Sequence, residues 1–260
     1  MIEFAGALFR GLQLVSLMLL IGGCVFLAIA DQQGAAPGPS WRTRLVKTFP
    51  WLALTLLVGL FGLLATTTAQ ATGVSGNAWN LQAWTDFLQK TRVGFIWILR
   101  AASALAVLAV VLYIRTSPPA QWRYIAGAVV AALTLALGSL ASHSAAEEQA
   151  ALATVIYALH LIVASVWFGG LPGVILVAST AATGPMSDRS RASEVLRRFS
   201  ALALYTMITI IVLGLIVANR MIDTNYAGLV ATTYGWLLIT KLTLLGIILV
   251  IASRAKSVWV

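Results

Sequence analysis

Acid is scarce in this chain. Its 260 residues include eight Asp and Glu against seventeen Lys and Arg, with two histidines and one cysteine. A single cysteine, Cys24, excludes an internal disulfide. Charged residues of all kinds make up 10% of the sequence while 60% is hydrophobic, a balance that excludes a soluble globular domain. No Asp or Glu lies inside any long apolar run, which argues against the carboxylate relays common in proton-coupled transporters. Nor do the polar residues assemble into a nucleophile, a base and an oxyanion-stabilising donor, so enzymatic catalysis is not expected.

What the chain has instead is seven apolar runs of about 20 residues or more, the length an α-helix needs to cross the hydrocarbon core. They cover roughly residues 7–30, 50–69, 93–114, 122–141, 150–178, 200–218 and 234–253. They are too long for transmembrane strands, which alternate in hydrophobicity over about 10 residues. The loops between them are short. The expected fold is therefore an all-α integral membrane protein with one helical bundle and no large soluble domain.

The net charge of +9 is explained by where the cations fall. Arg42, Arg44 and Lys47 follow the first run, Arg115 and Arg123 the third, Arg189, Arg191, Arg197 and Arg198 the fifth, and Arg254 and Lys256 the seventh. The alternate loops hold Lys90, Arg92 and Arg220 beside acidic Asp86, Glu147, Glu148 and Asp223. The positive-inside rule then puts the N-terminus outside and the C-terminus inside. Solvated loops account for these charges, and no nucleic-acid partner is expected. The first run begins almost at Met1 without a basic leader or an Ala-x-Ala site, so it reads as a retained span rather than a cleaved signal.

An internal repeat runs through the apolar pattern. The stretch LQLVSLMLLIGG from Leu12 aligns without a gap on LHLIVASVWFGG from Leu159, so that Gln13 falls on His160 and the pair Gly22, Gly23 on Gly169, Gly170. Likewise TRVGFIWILR from Thr91 aligns on TTYGWLLITK from Thr232, which sets Arg100 on Lys241. The offsets of 147 and 141 residues predict two tandem four-helix units in the same orientation, residues 1–147 and 148–260. On that pattern an eighth helix should begin near residue 263, just past Val260. The chain is then either a truncated form or a natural seven-helix variant. The groove left beside the fifth or seventh helix would be filled by lipid or by another chain, a second copy included. Between the second and third spans, WNLQAWTDFLQK places Leu81, Trp84, Phe87 and Leu88 on one helical face, which predicts an interfacial helix over about 79–90.

Ionisable groups within a bilayer are costly and are functional candidates by default. Here they are His160, Arg100 and Lys241, with His143 and Arg10 near the outer boundary. Arg100 and Lys241 lie about two turns in from the outer helix ends, shallow enough to snorkel to the headgroups. The alternative is a paired role facing the pseudo-symmetry axis, in which the two cations bind an anion or a lipid phosphate or position the outer mouth. His160 sits near mid-depth, with Trp167 on the same face two turns deeper. Imidazole, thioether and thiolate suit soft and borderline metals. His143, His160, Met18 or Met207, and Cys24 could form a descending ladder, with Met221 at the outer mouth; each sulfur residue alone also fits a packing role.

The strings LHLIVASVWFGGL, SHSAAE, TYGWLLITKLTLL and TRVGFIWILR together resemble the copper resistance protein D (CopD) membrane family. The likeness covers nearly the whole chain and is most specific at His160, Trp167, Gly169, Gly170 and the Thr-x-Tyr-Gly start of the last run. It implies an eight-helix protein of the bacterial inner membrane that handles copper, often beside a CopC-like periplasmic copper-binding protein. The expected function is inward copper movement with His143 and His160 as successive ligands. Two alternatives stand: a haem-binding or quinone-linked redox protein in which Arg100 and Lys241 neutralise propionates, and a scaffold that docks a periplasmic metallochaperone without transporting.

Overall fold

The computed structural model describes residues 2–30, 40–140, 150–183 and 186–222, together with residues 232, 235–240, 242–244, 246–247 and 250. The chain divides into two compact units, Met1–Leu213 and Gly214–Val260. Among the described residues the secondary structure is entirely helical. The helices are α1 (Ile2–Ala30), α2 (Ser40–Thr72), α3 (Leu81–Lys90), α4 (Arg92–Thr116), α5 (Gln121–Ser139), α6 (Ala150–Thr183) and α7 (Met186–Ile222), with a 3-10 turn over Ser75–Trp79 before α3. A shorter apolar helix, α8 (Gly235–Leu244), lies in the second unit.

Six helices (α1, α2 and α4 to α7) are long and apolar enough to cross a membrane. Each contains or closely overlaps one of the first six predicted runs; the seventh run is described only as the shorter α8. At 1.5 Å per residue α1 is about 43 Å long, and it exceeds the roughly 30 Å hydrocarbon core.

In the first unit α1 packs against α2, α5 and α6. It is hydrophobic nearly all round, as a helix enclosed by others should be, and Leu17, Leu20, Ile21, Phe26 and Leu27 are almost wholly buried. Its approach to α6 is close because both surfaces are glycine. A Cβ on Gly22 would collide with the backbone of Gly169 and the carbonyl oxygen of Ser165, and a Cβ on Gly169 would collide with the carbonyl of Met18. Small residues are what allow helix backbones to meet in this way. The neighbouring glycines receive rings: Gly23 faces Phe49 of α2, and Gly170 faces Phe199 of α7. Several hydroxyls in the spans bond within their own helices, as Ser16 donates to the Leu12 carbonyl (2.8 Å) and Ser165 to Leu161 (2.6 Å).

The amphipathic helix α3 rests on the bundle rather than apart from it. Trp84 stacks edge-on against Phe61 of α2 with ring centroids 4.8 Å apart, its indole donates to the Ala78 carbonyl, and Phe87 and Leu88 pack on the core while Leu81 stays exposed. The turn into α4 is built by Thr91, whose side-chain oxygen accepts from the backbone N–H of Gly94 at 2.8 Å, the N-cap bond that satisfies an orphan donor. Gly94 is small because the carbonyls of Phe87 and Leu88 crowd it. In the second unit Thr232 accepts from Gly235 in the same manner at 3.1 Å. The recurring Thr-x-x-Gly is thus a capping device at both places.

Candidate functional site

Helices α1, α4 and α6 start at one end of the bundle, and α2 and α5 finish there. Close packing of α2 on α1 fixes the first element of the site: Gly59 of α2 lies against the backbone of Gln13, 3.0 Å from the nitrogen for an added Cβ. The Gln13 side chain is buried and reaches α4, where its Oε1 accepts a 2.9 Å hydrogen bond from Nη2 of Arg100. The Arg100 guanidinium carbon lies 4.4 Å from the centroid of the Trp97 ring, a cation–π contact strengthened by exclusion of water. On α5, Gly138 leaves room beside it, since a Cβ there would come within 4.0 Å of Arg100 Nη2.

Arg100 does not snorkel. Only 5% of its surface is exposed, so the expectation that its depth would let it reach the headgroups is corrected. The reason is rotational: the side chain leaves α4 on the face turned to α1 and finds a glutamine there.

Around this pair is a cavity of about 70 Å³ whose polar lining is Arg10, Gln13, Arg100, Thr134, Ser139 and Tyr157. By the usual probe measure that is space for several waters, and it does not admit a porphyrin. His160 is not in the lining, although Tyr157 and Leu161 on either side of it in α6 are.

His160 is half-buried in the interior of α6, and Trp167 is half-buried two turns further along. Gly169 and Gly170 are buried at the contacts with α1 and α7. Met18 is half-buried on α1, at the level of Gly169, whereas His160 lies nine residues, about 13 Å, nearer the N-terminal end. Met207 is buried on α7. Cys24 is 1% exposed, and a Cβ on Gly127 of α5 would stand 3.0 Å from its sulfur. Among the described residues no three His, Cys, Asp or Glu side chains gather as a metal-binding group. His143 and Lys241 lie outside the described residues, as does the side chain of Met221. Sequence reading missed Gln13 as Arg100's partner, and with it the cavity; the available signal was a lone amide inside α1 at nearly the depth of the arginine.

The arrangement defines a polytopic α-helical membrane protein with a buried polar cluster near one end. Residues 1–153 match the family described as "Copper resistance protein D-like, N-terminal domain", and residues 193–260 match "Copper resistance protein D". The chain belongs to this copper resistance and transport family. It is 30% identical over 246 residues to the "Copper transport protein CutJ" of Bacillus subtilis, covering 94% of this chain and 44% of that protein. It therefore spans less than half the length of that relative. It is 29% identical to the "Inner membrane protein YebZ" of Escherichia coli, covering 100% of this chain and 86% of the other. Against "Copper resistance protein D" of Pseudomonas syringae pv. tomato the identity is 25%, over 93% and 78% of the two chains. No solved structure matches.

Proposed function

We propose that the chain carries copper across the bacterial inner membrane, from the periplasm inward, with His160 as a ligand on the way. The observation that carries this reading is a half-buried imidazole in the interior of α6, in a chain of the copper resistance family with a relative named as a copper transporter. The 13 Å between the levels of His160 and Met18 suits successive ligands rather than one coordination sphere. His143 is the proposed outer ligand and Met18, Met207 and Met221 are proposed as thioether steps. Cys24, its sulfur enclosed beside Gly127, is left to packing. A CopC-like periplasmic protein is the proposed donor of copper.

The topology proposed with it is N-terminus periplasmic, with seven spans in two tandem units. Charge supports the orientation, since Arg42, Arg44, Lys47, Arg115, Arg123, Arg189 and Arg191 all belong to the opposite end from residue 2. The repeat is supported by the glycine contacts, because an offset of 147 residues exchanges Gly22 with Gly169 and Met18 with Ser165. Such reciprocity is what a two-fold relation produces. Nine residues at 100° each put Gln13 half a turn away from Gly22, and His160 half a turn away from Gly169. The second repeat thus holds an imidazole where the first has the amide that binds Arg100.

The test is copper accumulation in cells carrying His160→Ala against the parent chain at equal protein level. Uptake should fall, and uptake by the parent should weaken in acid because imidazole must be neutral to hold metal. Unchanged accumulation in the variant would remove His160 from the path; lower cell copper with the parent than without it would reverse the direction.

A further inference from the structure

Among the described residues, the lining of the cavity between α1, α4, α5 and α6 holds two cations and no acid. Arg10 and Arg100 both line it, and the remaining lining is neutral. The ion pairs formed among the described residues lie elsewhere, at Lys90–Asp86 and around Glu194. Gln13 supplies one neutral acceptor to Arg100, yet the buried Nε of Arg100 has no hydrogen-bond partner. Burying a guanidinium 95% from solvent (5% exposed) without an anion is costly, and a second cation at the same cavity raises that cost.

We infer that this cavity is an anion site that takes a phosphoryl group, from a phospholipid headgroup or from free phosphate, between Arg10 and Arg100. The planar guanidinium fork matches two oxygens of one phosphoryl group, which is why arginine is favoured for this chemistry. Tyr157 offers a hydroxyl for a further bond, whereas the Thr134 and Ser139 hydroxyls already donate to the Val130 and Leu135 carbonyls of their own helix. Access is from the helix ends: Arg10 is exposed and lies eight residues, about 12 Å, inside the start of α1. The 20 residues of α1 that follow Arg10 span about 30 Å, the thickness of the hydrocarbon core, so a side chain at that depth sits close to the phosphate layer. The site is independent of copper and stands or falls separately from His160.

The experiment uses the full chain purified in a neutral detergent, and reads thermal unfolding in two arms. One arm titrates inorganic phosphate against chloride at constant ionic strength. The other dopes the micelles with phosphatidylglycerol, with native mass spectrometry counting retained lipid. A rise in unfolding temperature is expected in at least one arm: with phosphate alone it assigns a free anion, and with lipid a headgroup. Arg10→Gln should weaken the half-saturating concentration about tenfold or more, the loss expected of one charge-assisted hydrogen bond. Without added anion the same variant should be at least as stable as the parent, because it removes one of two cations from the same cavity lining. Arg100→Lys, which keeps the charge and loses the fork, should weaken the response without abolishing it. The inference is overturned if both arms are flat in the parent, if Arg10→Gln responds as the parent does, or if Arg10→Gln is less stable than the parent with no anion present.

Discussion

Substituting alanine for Gly22 puts a methyl group into the backbone of α6. The added Cβ meets Gly169 and the Ser165 carbonyl well inside van der Waals distance, and no flexible side chain is there to yield. The helices must part by about 1 Å, and overpacking of this kind costs about 1–3 kcal/mol, with a backbone collision at the upper end. Alanine returns up to about 1 kcal/mol as the better helix former, leaving a net loss near 2 kcal/mol. Gly11 is the internal control: it lies in the same helix, and a Cβ there has nothing within 4 Å. Gly11→Ala should therefore be neutral or stabilising by up to about 1 kcal/mol. The two substitutions, chemically identical and eleven residues apart, should differ by about 3 kcal/mol in opposite directions. Chemical or thermal unfolding of the purified protein in detergent measures the difference. Gly169→Ala should resemble Gly22→Ala, and the double variant should depart from additivity because each new methyl occupies space the other needs. If Gly22→Ala proves as stable as Gly11→Ala, the α1–α6 crossing is not a close glycine contact.

Two further substitutions test the local arguments. Gln13→Leu keeps approximate volume and removes the acceptor of Arg100; stripping a buried cation of a hydrogen bond should cost about 1.5–3 kcal/mol, read as a lower unfolding temperature that Gln13→Glu, restoring an acceptor with charge, recovers. Thr91→Ala deletes the cap of α4 and should cost about 1 kcal/mol, while Thr91→Ser, which retains the hydroxyl, should keep most of it.

The membrane spans were legible because an apolar run of about 20 residues has few alternatives in any fold. Run length, however, carries no information on rotation about the helix axis. That is why Arg100 invited a snorkelling reading from depth alone: which face of α4 it leaves, and that Gln13 of α1 stands opposite, depend on packing between segments 87 residues apart in the chain. The cavity was hidden for the same reason, since its polar residues come from four helices. The glycine pair was visible as a repeat, but not that its two copies would touch one another. The ring contacts of Gly23 with Phe49 and Gly170 with Phe199 had a faint signal as well: Phe49 and Phe199 are each followed three residues on by Leu-Ala-Leu, a match interrupted by Pro50 and Trp51.

On the proposed repeat, α1 and α6 offer two equivalent positions, and what distinguishes them is where specialisation can be read. At the crossing, both copies must be glycine, since either methyl would separate the backbones; the constraint is steric and equal on both sides. Half a turn away the constraint relaxes, and the two copies diverge to Gln13 and His160. Gln13 cannot lose or gain a proton at ordinary pH, so it serves as a fixed acceptor for a buried arginine. Imidazole at the corresponding place can accept, donate or bind a metal according to its protonation. On the proposed function, a shared steric frame with one permanently neutral member and one switchable member would hold one half of the bundle fixed while the other exchanges a ligand. Replacing His160 by Gln, the residue its own repeat already tolerates, should therefore leave folding intact and remove copper uptake. Loss of uptake with normal stability places the chemistry on the imidazole, whereas retained uptake would show that an amide suffices.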